Sequence, residues 1–96
     1  MKRISSAGLS VLNAFLANPR RTLHGYELIQ AARISSGTLY PLLLRFEKEG
    51  LLTSTWEEID PVDEGRPRRR LYKITGTGQQ VAASEATRAG FRMVTP

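Results

Sequence analysis

Cysteine is absent from the 96-residue chain, which excludes a disulfide framework and any thiolate metal site and is compatible with a reducing compartment. There is a single histidine, His24, and with no cysteine beside it a metal centre is not expected. No apolar run approaches a membrane span, and the basic start MKRISS lacks the apolar segment and small-residue cleavage pattern of a signal peptide. Also missing are a Ser/His/Asp set, a phosphate loop and any metal-ligand spacing, and Glu47, Glu49, Glu57 and Glu58 read as solvated charges. These absences predict a cytoplasmic protein that is not an enzyme, takes no cofactor and does not engage a membrane. No repeat divides the chain, so a single domain with a small core is expected, and dimerisation would help to stabilise it.

What is present is ordinary globular composition, 41% hydrophobic and 24% charged, with a net charge of +5. The charge is segregated. Residues 51–65 carry Glu57, Glu58, Asp60, Asp63 and Glu64 and no base, whereas residues 66–73 carry Arg66, Arg68, Arg69, Arg70 and Lys73 and no acid. Such a basic block suits nucleic acid or another anionic surface. A hairpin whose acidic strand neutralises its basic one is the competing reading.

The central stretch is 34–52, ISSGTLYPLLLRFEKEGLL. Leu39, Leu42, Leu43 and Phe46 fall on one helical stripe, with Thr38, Pro41, Arg45 and Lys48 on the other side. Ser35, Ser36 or Thr38 can cap its start, and Gly50 supplies a left-handed stop. Pro41 would lie beyond the first turn of a helix begun at Ser35 or Ser36, which predicts a mild distortion. Upstream, residues 6–18 predict a helix capped by Ser5 or Ser6, ended by Asn18-Pro19 and buried through Leu9, Leu12, Phe15 and Leu16. Residues 24–33 predict a second, with Leu28, Ile29 and Ala32 inward and Tyr26 in its first turn. Two short helices joined through Ile34, Ser35 and Ser36 outline a helix-turn-helix, although any small bundle also contains adjacent short helices.

Downstream, residues 51–59 predict a strand with Leu52 and Trp56 on one side, residues 60–67 (DPVDEGRP) a loop, and residues 68–74 a second strand. Trp56 reads as a packing residue of the core or an interface before it reads as the wall of a small-molecule pocket. A last helix follows Thr75, capped by Thr75 or Thr77, with Ala82, Ala86, Ala89 and Met93 along one face. The fold class is therefore mainly α within α+β: a winged helix-turn-helix of three helices, a two-stranded wing and a C-terminal helix. Residues 1–75 are expected to form a winged helix-turn-helix DNA-binding domain, and residues 76–96 a C-terminal helix continuous with it and suited to dimerisation.

Four strings sharpen this reading. HGYELIQA (24–31), GTLYPLLLRFEKEGLL (37–52), Trp56 on the next strand and RRLYKITGTG (69–78) together resemble the PadR family of bacterial transcriptional regulators over roughly residues 8–82. Leu71, Phe46 and the glycine-rich 76–78 segment depart from the usual family forms. The resemblance implies a repressor acting as a homodimer on a pseudo-palindromic operator in double-stranded DNA. Relatives include repressors released by phenolic acids or flat hydrophobic drugs, so a small hydrophobic or phenolic effector is a possible partner.

On this reading a recognition helix of about 35–49 enters the major groove and presents Ser35, Ser36, Gly37, Thr38, Pro41 and Arg45, while a wing of about 60–70 lies on the backbone or minor groove. Tyr40 on the flank either reaches a phosphate through its hydroxyl or is a partly buried ring. Ser35 and Ser36 either cap the helix or touch DNA, and the two roles can coexist. The wing brings Arg66, Arg68, Arg69 and Arg70, of which Arg69 and Arg70 point to opposite faces of their strand. His24 and Tyr26, with Arg20 and Arg21, sit where a helix start can hold a phosphate. The alternative function is a winged-helix protein-interaction module docking an acidic partner on the basic hairpin.

Overall fold

The first half of the chain holds three helices, each started by a side chain that satisfies an orphan backbone amide. Helix α1 is Ser6–Leu16, and Ser5 Oγ accepts from the Gly8 amide at 3.1 Å. Helix α2 is Gly25–Ala32, and His24 Nδ1 accepts from the Glu27 amide at 3.4 Å. Helix α3 is Ser36–Lys48, and Ser35 Oγ accepts from the Thr38 amide at 3.3 Å. The structure, a computed structural model, describes residues 3–88. Ala89 and Met93, expected on the inner face of the last helix, lie outside the described residues.

Helix α3 follows the sequence reading at its ends. Gly50 takes φ 74°, the Leu51 amide returns to the Phe46 carbonyl at 2.8 Å and the Gly50 amide to Glu47 at 3.1 Å. That double return is the Schellman stop, sealed by contact between apolar residues on its two sides. Phe46 and Leu51 are both fully buried. Helix α2 ends at Arg33, which takes the left-handed conformation itself, φ 59°.

Strands β2 (Leu52–Trp56) and β3 (Arg70–Ile74) pair antiparallel, with Leu52 opposite Ile74 and Trp56 opposite Arg70. A third strand, β1 (Leu23–His24), adds to the other edge of β3, giving the order β1-β3-β2. At two residues it is too short to leave a periodic signal. The expected loop at 60–67 contains a further helical turn, α4 (Pro61–Glu64), in which Asp60 is the cap, Pro61 opens the first turn and Gly65 closes it at φ 68°. The residues that spelled a loop are equally the start and stop signals of one turn of helix.

The core joins Val11, Leu12 and Phe15 of α1, Leu28 of α2, Leu39, Leu43 and Phe46 of α3, Leu51, Leu52, Tyr72 and Ile74. Leu16, expected inward, is partly exposed, and Val11 is buried in its place. The last helix, α5 (Gly76–Arg88), packs on α1 and buries Ala82. Thr75 organises its start: the Thr75 hydroxyl accepts from the Gly78 amide at 2.9 Å and donates to the Gly50 carbonyl at 2.7 Å.

Trp56 is not in the core, one of the two packing places expected of it. It shares a face with Leu52, yet the helices cover only the near end of that face. Burial falls along the strand from Leu52, through half-buried Ser54, to Trp56 at 59% exposed. Instead of core, the indole receives the Arg70 guanidinium, 4.9 Å from the ring centre.

Candidate nucleic-acid interface

The start of α2, the flank of α3 and the base of the wing meet in one open groove. It is lined by His24, Gly25, Tyr26, Tyr40, Arg68, Arg69, Arg70 and Tyr72. Six of these are residues the sequence singled out, drawn from three separate segments. Among the described residues that line it there is no Asp or Glu, although Glu27 Oε1 approaches its wall, 3.4 Å from His24 Nε2. Close approach builds it: a Cβ on Gly25 would strike the Tyr40 hydroxyl, so the phenol lies against the first turn of α2. Burial pushes the Tyr72 hydroxyl above its ordinary pKa, keeping it protonated and a donor.

The start of α2 departs from the expectation of an open phosphate site. His24 and Glu27 form a capping box, with Glu27 Oε1 accepting from the His24 amide at 3.1 Å. Arg21 completes the set, 2.7 Å from Glu27 Oε2. An internal carboxylate thus occupies the position where an external anion was expected, because the residue three beyond the cap is acidic. His24 remains on the groove wall as a cap. Tyr26 is exposed and its hydroxyl accepts from the Gln30 side chain at 2.9 Å.

On α3, Ser35, Ser36, Gly37, Thr38, Tyr40, Pro41 and Lys48 are exposed. Ser35 serves as cap, and its hydroxyl also donates to Thr38 Oγ1 at 3.2 Å. Pro41 lies inside the helix and offers no N–H to the Gly37 carbonyl, the missing bond that the early start implied. Arg45 differs from its expected place on an open face. It is half-buried, bonded through Nε to Glu49 Oε2 at 2.9 Å, with its guanidinium 5.8 Å from the Phe46 ring centre. The i,i+4 spacing of opposite charges was the signal for that pairing. Leu44 was not singled out, yet it is 63% exposed. Its position off the Leu39, Leu43 and Phe46 stripe was the available clue.

The wing is partly self-neutralised. Arg66 forks onto Glu57, Nη1 to Oε1 at 2.7 Å and Nη2 to Oε2 at 3.0 Å, and the Arg69 amide adds a bond to Glu57 Oε1 at 3.2 Å. Arg66, expected on DNA, is thereby a clasp across the hairpin, because Glu57 just after β2 and Arg66 ahead of β3 meet where the wing closes. Arg68 donates from Nε to the Ile59 carbonyl at 3.0 Å, and Arg70 from Nε to Ser54 Oγ at 3.0 Å. The Arg69 side chain is exposed, with no hydrogen-bond partner among the described residues.

Hydrogen bonds from Arg66 hold the Glu57 carboxyl down to about 2 from an ordinary 4.5. A depressed carboxylate pKa stabilises the closed wing fully above about pH 4.5 and loses that contribution as pH falls toward 2. The Arg69 amide proton is therefore expected to hold its chemical shift from pH 7 to about 4 and to move near pH 2. Movement centred near 4.5 in an NMR titration would remove the clasp. Glu57→Gln should abolish the transition.

The profile of the Transcriptional regulator PadR-like family matches residues 12–84, spanning α2, α3 and the wing. The chain belongs to this family. A sequence relative, Transcriptional regulator Rv3488 of Mycobacterium tuberculosis, is 44% identical over 66 residues, 69% of this chain and 50% of that protein. The chain thus spans about half the length of that curated relative. Among solved structures, a PadR family transcriptional regulator from Eggerthella lenta superposes with a TM-score of 0.68 at 27% identity, covering 90% of this chain and 76% of the other. The PcaV transcriptional regulator from Streptomyces coelicolor, in complex with its natural ligand, superposes with a TM-score of 0.76. At 22% identity, over 94% of this chain and 58% of PcaV, that likeness establishes a shared fold. The PadR-like chain is accordingly a winged helix-turn-helix, extended by the short strand β1 and the helical turn α4. Among its described residues no helix is long and apolar enough to cross a membrane, and no group of three or more His, Cys, Asp or Glu is placed to hold a metal ion.

Proposed function

We propose that this PadR-like chain is a cytoplasmic repressor that binds a pseudo-palindromic DNA site as a homodimer. Helix α3 would enter the major groove through its Ser36–Pro41 side, with Arg68 and Arg69 on the neighbouring backbone or minor groove. The observation that carries this is the groove, with no Asp or Glu among the described residues that line it, in which His24, Tyr26, Tyr40, Arg68, Arg69 and Arg70 converge. Phosphates are bound by just such cations and hydroxyls, and they position the reading helix without themselves carrying sequence information. Arg45 and Arg66 act mainly within the fold, bracing α3 and the wing. Residues 76–96 pair the subunits, placing two copies of α3 about 34 to 36 Å, or one turn of DNA, apart. Regulation by a small hydrophobic or phenolic effector fits the family, and PcaV was solved with its own natural ligand.

A gel shift with the DNA upstream of the protein's own coding sequence tests this. A specific shift is expected, weakening steeply as salt is raised because cations on phosphates release counterions. Absence of a specific shift at moderate salt, with capture of an acidic protein by the same hairpin, would favour the interaction-module reading.

A further inference from the structure

We infer that α3 reads DNA by apolar contact with thymine methyl groups, through an exposed ridge centred on Leu44. This rests on the DNA-binding reading and adds what that reading lacks, the chemistry of base recognition. The buried residues of α3 are Leu39, Leu43 and Phe46. At 100° per residue, the stripe opposite them is Gly37, Pro41, Leu44 and Lys48, and all four are exposed. Its middle is apolar, with Leu44 at 63% exposure and Pro41 one turn before it.

Two of the polar side chains expected to read bases from this helix, Ser35 and Arg45, are engaged within it, and neither Ser36 nor Thr38 lies on the outward stripe. Ser35 caps the helix and donates to Thr38 Oγ1, and Arg45 lies along the helix on Glu49. What remains facing outward at the centre is a leucine and a proline. Gly37 adds no side chain, so the ridge can approach a groove floor closely.

Cations border the ridge. Lys48 ends it, and the groove containing Arg68, Arg69 and Arg70 opens beside its Tyr40 flank. An apolar centre between positive borders complements a DNA major groove, where base methyls lie between two phosphate backbones. A hydrophobic protein partner would have no use for those borders. Among the base-pair edges in that groove, only thymine offers an apolar group, its C5-methyl.

The test begins with selection of bound duplexes from a random-sequence pool. The enriched site is then remade with deoxyuridine in place of each thymine, which removes the methyl and leaves every hydrogen-bonding group. Loss of one contacted methyl is expected to weaken the wild-type protein about threefold to fivefold. Leu44→Ala should bind thymine and deoxyuridine sites alike, and Leu44→Gln, which keeps the length of the side chain, should do the same. Equal binding of both sites by the wild-type protein, or retained methyl sensitivity in both variants, would overturn the assignment while leaving DNA binding intact. Wild-type self-association lost in Leu44→Ala would give the ridge to a second copy and also overturn it. Enrichment of no sequence would sink the DNA-binding reading itself.

Discussion

Gly78→Ala is expected to destabilise the domain by about 2–3 kcal/mol, lowering the thermal midpoint by roughly 10–20 °C. Helix propensity alone points the other way, since alanine is favoured over glycine by about 1 kcal/mol in a helix interior. Space decides the sign. A Cβ at position 78 would collide with the Leu51 carbonyl oxygen and lie 2.7 Å from Ile74 Cγ1 and 3.0 Å from the Leu51 carbonyl carbon. Two of these atoms are backbone and cannot swing aside. Leu51 is also pinned, its amide bonded to Phe46 at 2.8 Å and its carbonyl accepting from the Thr75 amide at 3.0 Å. Room could come only from lifting α5 off the sheet. Gly76→Ala is the control, because nothing lies within 4 Å of a Cβ there. It should leave stability unchanged or raise it by a few tenths of a kcal/mol, up to about 1. Thermal unfolding of both variants compares them, and equal midpoints would show that α5 is not seated on Leu51 through Gly78.

Replacing Arg68 and Arg69 together by alanine is expected to weaken binding to all DNA sequences alike and to lower the salt slope of log affinity by about two. Arg68 uses only Nε on the Ile59 carbonyl, so its terminal nitrogens can still donate outward. Arg69 is exposed on the same groove. Arg66→Ala should differ in kind. Its guanidinium is already neutralised by Glu57, so its loss should change the salt slope little and instead loosen the wing. Affinities measured across a salt series for the double variant and for Arg66→Ala separate the two roles. An unchanged slope in the double variant would take the wing out of the mechanism.

Local signals were legible in the sequence, whereas signals depending on register were not. Ser35 as cap, Pro41 inside α3 and Gly50 as stop all act within one turn of helix, and each stands where the spacing put it. Two further local patterns were present but unread: Glu27 three residues after His24, and Glu49 four after Arg45. Both give a residue expected on DNA a partner within the fold. The exposure of Trp56 could not be read, because it depends on how far along β2 the helices reach. The clasp between Glu57 and Arg66 was the competing reading of the charge pattern, and the closing of the wing decides it for Arg66. Charge segregation marked the wing correctly but left open whether its arginines face outward or across the hairpin. Arg66 faces across, Arg69 outward, and Arg68 spends one of its nitrogens on the Ile59 carbonyl while the rest of its side chain lies on the groove.

The Thr75 hydroxyl joins the stop of α3 to the start of α5, donating to Gly50 and accepting from Gly78. With Gly78 pressed against the Leu51 backbone, this joint behaves mechanically as a weld rather than a hinge. Torque applied to α5 would therefore turn the C-terminal end of α3 with it. Two copies held together through their last helices would carry their third helices as the fixed legs of a calliper, set to one span.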